Sequence, residues 1–500
     1  ALAEALARSD PRLRYLRLPI NSGAAGRPRN EGIDATRAPY VMFLDSDDEL
    51  EPHACADLLR AVRETDAELA SGLCVRVLVQ DGHAETPWYP RLYRERLTYD
   101  DVAERPGLLF DTNSTNKIYR RSFLERTGLR YPEGRTYEDL LFTTAAYCLA
   151  RRITLTPERV YRWYVDERAD RLSVTNRRAE LANLAARLSI HRDIDAWLLA
   201  HGRAALKVHK DVKFLQHDLR LYLGDLPRRD PAYQQEFLDQ AGDYLAGLTP
   251  EGLDLAGTML RVAAYLVRAH DLDGVLAVSA WLGQRQRLTI DLVADGDQVF
   301  WGERHLDTPE GRHALDVTDL GLADRPLSKL HLQTTATSVA VDGSALTVRG
   351  RTRNQLDKVG AGSAELALIL TARGSHRQCA VPMSEICHRG RSIAWGASVP
   401  VADLLGVIEA DERVWDVALR IRVGEEVALA TVLVDGVALP GGLPVRVRRR
   451  LLAGDTLVPY ATVNGNLALR LVASRPSTRV VRALTQRLLH TFARRPRRRG

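Results

Sequence analysis

Residues 41–48 read VMFLDSDD, an apolar run that passes directly into acidic residues. A continuous apolar run indicates a strand buried on both faces, as in the sheet of an α/β protein. Open α/β sheets bind their ligands at the carboxyl ends of the strands, which is where Asp45, Asp47 and Asp48 lie. Mg²⁺ favours one or two carboxylates together with substrate phosphates. The stretch therefore predicts a site for a divalent cation and a diphosphate, and the alternative is an ordinary acidic turn after a strand.

The composition limits the classes of protein that the chain can represent. With 500 residues it is too long for one hydrophobic core, and roughly two to four domains are expected. Much of the positive excess behind the net charge of +6 lies in arginines at 446–450 and 494–499, which favours an anionic partner for the tail and argues against a nucleic-acid-binding body. The five cysteines have no C-x-x-C spacing and fit a reduced, cytosolic setting. No apolar run approaches the ~20 residues of a membrane span, and no signal peptide opens the sequence.

The hydrophobic pattern changes along the chain and predicts four regions. From 1 to 175 helical and strand patterns alternate, as in an α/β domain, with a short strand expected at 14–18 and others at 40–45 and 69–79. Residues 176–287 have leucine and alanine at helical spacing and predict a helical linker or bundle. Apolar residues with period two between turn signals over 288–470 predict an all-β, sandwich-like domain. Residues 471–500 predict a basic amphipathic tail.

Several polar and aromatic residues in the second and third regions are expected to have structural roles. His209, His217 and Asp218 are interpreted as polar residues on helix surfaces. For Trp301, Trp395 and Trp415, core packing is favoured over a sugar-binding groove.

Residues 21–32 add a glycine-rich turn and a helix start ahead of the acidic strand end. They read NSGAAGRPRNEG, and a helix beginning here offers free N–H groups and its positive dipole end to a diphosphate. Gly32 is expected to let this helix lie close to the sheet. Together the motifs resemble the nucleotide-sugar-binding half of family 2 inverting glycosyltransferases of the GT-A fold. The resemblance implies that a sugar nucleotide is bound by Asn21, Gly23, Arg29, Asn30, Asp45 and Ser46, and that Mn²⁺ or Mg²⁺ is held by Asp47 and Asp45.

Residues 116–142 carry a second group of motifs, NKIYRRSF at 116–123 and TYEDLLF at 136–142. They resemble the acceptor side of the same family, in which a carboxylate in a Glu-Asp pair that opens a helix is the catalytic base. The resemblance implies that Asp139 is this base, with Glu138 beside it. Thr136 and Asp139 also nearly match a helix capping box, so a purely structural role is the alternative. The two roles are compatible, because a helix N-terminus fixes a carboxylate and keeps it ionised.

Residues 161–174 resemble the strand and flexible loop that close the donor site in these enzymes. The resemblance implies donor contacts from Arg171 and Ser173, and the alternative for Arg171 is an ordinary surface arginine. The likeness covers residues 14–175. The family begins with a strand, a loop, a helix and a second strand carrying an acid that contacts the nucleotide base, and none of these precedes Ala1. The chain is therefore expected to be a fragment that starts inside its first domain.

The resemblance implies a metal-dependent, inverting enzyme that transfers a hexosyl or N-acetylhexosaminyl group from a nucleoside-diphosphate sugar, with a UDP-sugar as the expected donor. The acceptor would be a hydroxyl of a cell-surface polysaccharide or a teichoic-acid-like, lipid-linked polymer, since teichoic-acid-type members also carry additional modules after the catalytic domain. The helical and β regions are expected to bind acceptor, to form a homo-oligomer, or both. The tail predicts peripheral binding at the cytoplasmic face of the membrane, against the alternative of a solvated tail. Two other functions remain open: a non-catalytic polysaccharide- or partner-binding scaffold, and a glycerol-phosphate polymer transferase.

Overall fold

The computed structural model describes residues 2–166, 177–283, 288–330, 332–342, 345–400, 413–434, 436–445 and 455–473. The chain divides into two compact units, Ala1–Ser279 and Ala280–Gly500. The first unit contains an α/β sheet and a set of helices, and the second is rich in β-strands. The finer division at residues 175, 287 and 470 stays a prediction.

A mixed seven-stranded sheet is the centre of the first unit, and its five-strand path has the order β1-β6-β3-β7-β2. Strand β3 runs parallel to β7 and antiparallel to β6, which is itself antiparallel to β1. Two short strands complete the sheet, β4 against β3 and β5 against β7. The strands are β1 (Tyr40–Met42), β2 (Glu49–Leu50), β3 (Leu69–Leu78), β4 (Ala84–Pro87), β5 (Leu97–Tyr99), β6 (Lys117–Arg120) and β7 (Ile153–Val165).

Helices cover both faces of this sheet. One apolar cluster joins Leu58 and Val62 to Ala70 and Ile118, and the other joins Tyr119 to Phe142 and Ile194. The ring of Phe142 stacks on Tyr131 with 3.7 Å between the centroids, in the geometry of a close-packed aromatic core. The helices up to residue 150 are α1 (Leu2–Ser9), α2 (Gly26–Ala35), α3 (Ala54–Glu64), α4 (Arg121–Thr127) and α5 (Glu138–Leu149).

The region after residue 176 is helical, as its leucine spacing predicts. Pro250 follows Thr249, whose hydroxyl accepts a hydrogen bond from the Gly252 amide, so one of these helices begins with a typical cap. The helices are α6 (Leu181–Ala200), α7 (Lys207–Lys213), α8 (Arg220–Asp225), α9 (Pro231–Leu245), α10 (Pro250–Leu255), α11 (Thr258–Arg268) and α12 (Leu272–Leu282), with a π-helical segment at Phe214–Leu219. No described helix is long and apolar enough to cross a bilayer.

Two local predictions are wrong. Residues 14–18 form no strand, because a strand requires a hydrogen-bonding neighbour and none of the described strands pairs with them. Gly32 does not bring α2 close to the sheet as predicted. The close contact of α2 is instead made at Gly26, with the backbone of Pro132. A Cβ atom at Gly26 would lie 2.4 Å from the Pro132 carbonyl oxygen, whereas one at Gly32 would meet no atom within 4 Å.

The second unit contains an eleven-stranded β structure, which confirms the predicted β domain. Buried and exposed residues alternate along β11 and β16, so one face of each strand is covered. The pairing is antiparallel except between β10 and β17. After a separate hairpin of β8 (Leu292–Asp295) and β9 (Gln298–Trp301) and helix α13 (Pro309–Leu315), the strands are β10 (Thr334–Asp342), β11 (Ala345–Arg353), β12 (Ala364–Ala372), β13 (Gln378–Pro382), β14 (Glu385–Arg389), β15 (Ser392–Pro400), β16 (Val414–Val423), β17 (Glu426–Leu433), β18 (Leu443–Val445), β19 (Asp455–Ala461) and β20 (Leu467–Ala473).

The three tryptophans considered for a sugar groove belong to the interior. Trp301, Trp395 and Trp415 are all buried, which confirms the prediction of core packing. The indole N–H of Trp395 donates to the Thr352 hydroxyl at 3.0 Å, as a buried indole requires.

Candidate active site

A cleft of about 450 Å³ opens in the first unit where the acidic stretch follows β1 and where α5 begins. The loop before α2, the acidic stretch and the start of α5 contribute Gly23, Ala24, Ala25, Arg29, Asp45, Ser46, Asp47, Asp48, Thr136, Tyr137, Glu138, Asp139 and Leu140. Aromatic residues, a polar loop and three side chains of the helical region complete the lining with Trp88, Phe110, Thr112, Asn113, Thr115, Trp163, Arg187, Lys213 and His217. The structure thus brings together residues that are more than 150 positions apart in the sequence.

Arg29 lies at the centre of the carboxylate side of the cleft. Its guanidinium donates to Asp45 at 2.6 Å and to Glu138 at 2.9 Å, and it lies 3.5 Å from Asp139. Burial opposes the charge on the guanidinium, but attraction to Asp139 and Asp45 outweighs it and raises the pKa of Arg29 above its ordinary value. One cation therefore joins the acid at the strand end to both acids at the start of α5.

Glu138 is the least exposed of these acids. Burial, together with repulsion from Asp139, raises the pKa of Glu138 to about 7, although Arg29 partly offsets both effects. The Asp139 side chain is 30% exposed and opens toward the cleft. The two neighbouring carboxyls consequently have different environments. Glu138 is buried and binds a proton near neutral pH, whereas Asp139 is accessible from the cleft.

The acids after β1 also divide into two types. Asp48 accepts hydrogen bonds from the Tyr161 hydroxyl at 2.7 Å and the Tyr164 amide at 2.8 Å, so its carboxyl fixes the acidic loop to β7. Burial raises the pKa of Asp48 to about 6. Asp47 is exposed and directed to the cleft, whereas Asp45 is bound to Arg29. Of the three, Asp47 is the most accessible to a ligand.

The helical region contributes positively charged side chains to the lining of the cleft. Arg187 and Lys213 are buried and both bind Asp218, at 2.9 Å and 2.7 Å. Asp218 is fully buried and His217 lines the cleft, so the interpretation of these two residues as polar groups on a helix surface is wrong. Their helix is covered by other elements of the first unit, and this packing cannot be read from local spacing. Burial lowers the pKa of His217 to about 4.

An aromatic wall lines the same cleft. Trp88 meets Trp163 edge to face at 5.3 Å between centroids and meets His217 in the same way at 5.4 Å. Trp88 follows β4, and the backbone amide of Trp88 donates to the Cys74 carbonyl at 2.9 Å. Trp163 lies in the 161–174 segment that was expected to close the donor site, whereas the predictions from sequence missed Trp88, since only its aromatic character could have indicated such a role.

Helix α5 begins without the predicted capping box. Its N-cap residue is Tyr137, which makes no side-chain cap and has the left-handed backbone angles φ 66° and ψ 28°. The alternative in which Thr136 and Asp139 form a cap is therefore wrong. The anionic Asp139 remains in the first turn, where the helix dipole stabilises negative charge.

The other predicted binding residues lie in different places. Gly23 and Ser46 line the cleft, but Asn21 and Asn30 are not among its lining residues in the described part of the chain. The Asn21 side chain accepts from the Gly23 amide at 3.0 Å, which stabilises the turn. Asn30 exchanges hydrogen bonds with the backbone of Tyr131 at 2.8 and 3.0 Å. Arg171 and Ser173 lie outside the described residues.

The cleft has few groups that could hold a metal by themselves. Within the described residues, no cluster of three or more histidine, cysteine, aspartate or glutamate side chains has the arrangement of a metal site. Asp45 and Asp47 nevertheless suit Mg²⁺ or Mn²⁺ bound together with phosphates, because such ions take one or two protein carboxylates. Arg29 is the cation in contact with the acids after β1 and at the start of α5, and these acids outnumber it. A bound diphosphate would add further negative charge. A dication would balance that added charge.

The acids after β1 lie where open α/β sheets bind their ligands, and they face the acids at the start of α5 across Arg29. Residues 1–128 match the family model described as Glycosyl transferase family 2. The matched residues thus mark a family 2 glycosyltransferase domain at the start of the chain, and the protein is a glycosyltransferase. The family predicted from the motifs is confirmed.

Similar proteins include several that are named as poly(ribitol-phosphate) glycosyltransferases. Poly(ribitol-phosphate) beta-N-acetylglucosaminyltransferase TarS of Staphylococcus aureus is 24% identical over 430 residues, which are 83% of this chain and 67% of the relative. Poly(ribitol-phosphate) beta-glucosyltransferase of Bacillus spizizenii is 26% identical over 157 residues, 31% of this chain and 23% of the relative. The crystal structure of S. aureus TarS is similar with a TM-score of 0.47 and 19% identity, covering 95% of this chain and 77% of that one.

Proposed function

We propose that the protein transfers a sugar from a UDP-sugar to a hydroxyl of a polyol-phosphate polymer of the poly(ribitol-phosphate) type, with inversion at the anomeric carbon. The observation that carries this proposal is the position of Arg29. Its guanidinium binds Asp45 on the side where a donor diphosphate would lie, and it contacts Glu138 and Asp139 on the side where an acceptor would be activated. A donor and an acceptor bound at these positions would lie next to each other.

The donor side is formed by the loop before α2 and the acidic stretch. The amides at the start of α2 and the guanidinium of Arg29 would stabilise the negative charge of the diphosphate. Mn²⁺ or Mg²⁺ held by Asp45 and Asp47 would neutralise charge on the leaving group. Arg29 would stay close to that leaving group as the bond to the sugar breaks, because it is already fixed between two elements.

Asp139 is the proposed general base. It is accessible from the cleft, whereas Glu138 is buried and binds a proton near pH 7. Asp139 would take the proton of the acceptor hydroxyl as the oxygen attacks the anomeric carbon from the face opposite the leaving diphosphate. A single displacement of this kind inverts the configuration and requires no nucleophilic side chain.

The proposed acceptor follows from the relatives and from the charge of the cleft. TarS and the B. spizizenii enzyme are both named for poly(ribitol-phosphate) as the polymer that they modify. In this chain, Lys213 and the aromatic pair Trp88 and Trp163 line the part of the cleft formed with the helical region. Positive charge next to aromatic faces suits a polymer in which phosphates alternate with polyol units.

We also propose that the enzyme acts at the inner face of the cell membrane, where a lipid-linked polymer would be available. The support is the basic composition of residues 479–499, which lie outside the described residues. Salt-sensitive binding of the full chain to anionic vesicles, lost on removal of 474–500, is the expected result.

Thermal unfolding with added nucleotides tests the donor site. We expect UDP, and not GDP, CDP or dTDP, to raise the melting temperature, and to do so only with Mn²⁺ or Mg²⁺, since a ligand that binds only the folded state stabilises it. Asp47→Ala should lose this effect. Glu49→Ala removes an exposed carboxylate two residues away and should retain it. Stabilisation of Asp47→Ala equal to that of the parent would reject the metal assignment.

Transfer assays test the acceptor. Purified poly(ribitol-phosphate) should accept N-acetylglucosamine from UDP-N-acetylglucosamine, whereas poly(glycerol-phosphate) should accept little. Equal transfer to both polymers would show that the polyol is not recognised. Hydrolysis of the donor without transfer to either would reject this class of acceptor.

A further inference from the structure

Tyr137 has a backbone conformation that a tyrosine does not adopt without support. Its φ of 66° lies in the left-handed region, where a residue other than glycine is strained. It directly precedes Glu138 and Asp139, so its backbone angles decide where both carboxyls point. Tyr137 is the N-cap residue of α5, and its side chain makes no capping hydrogen bond. The Tyr137 side chain makes contacts that are available to maintain the conformation.

Helix α6 provides these contacts. The Arg187 guanidinium lies 3.5 Å from the centroid of the Tyr137 ring, and the Tyr137 hydroxyl donates to Asn183 at 3.0 Å. The Tyr222 hydroxyl donates to the same Asn183 oxygen at 2.6 Å. Tyr137 is thus held at its ring face and at its hydroxyl by two residues that are one helical turn apart on α6.

Arg187 is fixed in turn by Asp218 on the π-helical segment. Asp218 accepts from Arg187 at 2.9 Å and from Lys213 at 2.7 Å, and it lies 3.0 Å from the Nε2 atom of His191. All four side chains are buried. Single π-helical turns within α-helices often occur at functional sites. The contacts therefore run from Asp218 through Arg187 and Tyr137 to the start of α5.

We propose that Arg187 is a positioning residue for the transfer reaction: by stacking on Tyr137 while paired to Asp218, it holds the left-handed backbone that aims Asp139 into the cleft. The proposal rests on the proposed role of Asp139 as the base. It assigns to the helical region, which lies beyond the part matched by the family model, a direct part in forming the active site.

The first test is Arg187→Ala. A displaced base lowers the rate of the chemical step and not donor binding, so we expect kcat to fall by roughly 10- to 100-fold with the donor KM unchanged. Arg178→Ala is the matched control, since it removes an arginine of the same region that is paired to Asp225 at 2.8 Å and does not line the cleft. This control should keep the parent kcat.

A double substitution separates positioning from direct contact with substrate. Glycine adopts positive φ without strain, so in a Tyr137→Gly background the added Arg187→Ala change should lower kcat by less than 3-fold. If Arg187 instead binds a substrate phosphate, the added change should cost as much as it does in the parent. That additive result would overturn the proposal.

Hydrogen exchange gives a readout that does not depend on activity. In Arg187→Ala, amides in the first turns of α5, residues 138–144, should exchange at least 10-fold faster, while those of α9 keep the parent rate. Unchanged exchange in α5 would overturn the proposal even if kcat fell. If the parent shows no transfer, or Asp139→Asn keeps full activity, the proposed function fails, and the exchange rates still decide whether Arg187 positions this helix.

Discussion

The two units bury different kinds of polar group. In the first unit charged side chains are buried next to the cleft, including Asp111, Lys117, Glu138, Arg187, Lys213 and Asp218. In the described residues of 280–473, the buried polar residues are all neutral: Thr334, Thr352, Asn354 and Gln355. Because buried ion pairs are costly and weak as sources of stability, their concentration in one unit indicates a purpose other than folding.

Two groups of these buried charges support the walls of the cleft. Lys117 binds Asp111 at 3.0 Å and also donates to the carbonyl of Asn113, which lines the cleft. Asp218 likewise holds Arg187 and Lys213, which line the cleft as well. The β unit, by contrast, is organised by alternating apolar residues and a few neutral hydrogen bonds. This contrast favours the first unit as the place of the proposed transfer reaction.

The largest effect on stability should follow from breaking the buried ion pair between Lys117 and Asp111. Lys117→Met leaves Asp111 buried without its cation and should lower the free energy of unfolding by about 3–5 kcal/mol. Urea unfolding followed by the helical circular-dichroism signal measures the loss. Adding Asp111→Leu should restore part of it, because both charges are then absent. A single variant as stable as the parent would contradict the contrast between the units.

A smaller effect should appear as a pH dependence. The pKa of Glu138 is about 7 in the folded protein and near 4.5 when unfolded, so the folded state binds more protons between these values. This contribution to stability is complete below pH 4.5 and is lost as the pH rises through 7. Relative to Glu138→Gln, the parent should therefore lose stability on the order of 2 kcal/mol over that range. If the free energy of unfolding of the parent and of Glu138→Gln changed equally with pH, Glu138 would be ionised over the whole range.

The smallest effect should come from the β unit. Trp395→Phe removes the hydrogen bond to Thr352, which also bonds to Thr334, and keeps most of the buried ring. We expect a loss of about 1 kcal/mol in the thermal unfolding of this unit and no change in transfer rate. A large fall in transfer would show that the β unit takes part in the chemistry.

The residues that could be predicted from sequence carry their signal locally. Asp45 and Asp47 follow an apolar strand, and Glu138 and Asp139 open a helix within a recognisable motif. Arg187, Lys213 and Asp218 have no such signal, because charged residues at helical spacing usually face solvent. Their burial depends on how α6 and the π-helical segment pack within the first unit. Similarly, 14–18 has the composition of a strand, but pairing with a neighbour decides whether one forms.

The acids around Arg29 form the proposed transfer site, and Asp139 is its proposed base. Asp139→Asn keeps the shape of the side chain and removes its basicity, so parallel measurements of donor binding and of sugar transfer test the claim directly. We expect metal-dependent UDP binding to stay within 2-fold of the parent and transfer to fall by a factor on the order of 10² or more. Transfer at the parent rate would contradict the account, and Asp139 would then be only the first-turn acid of α5.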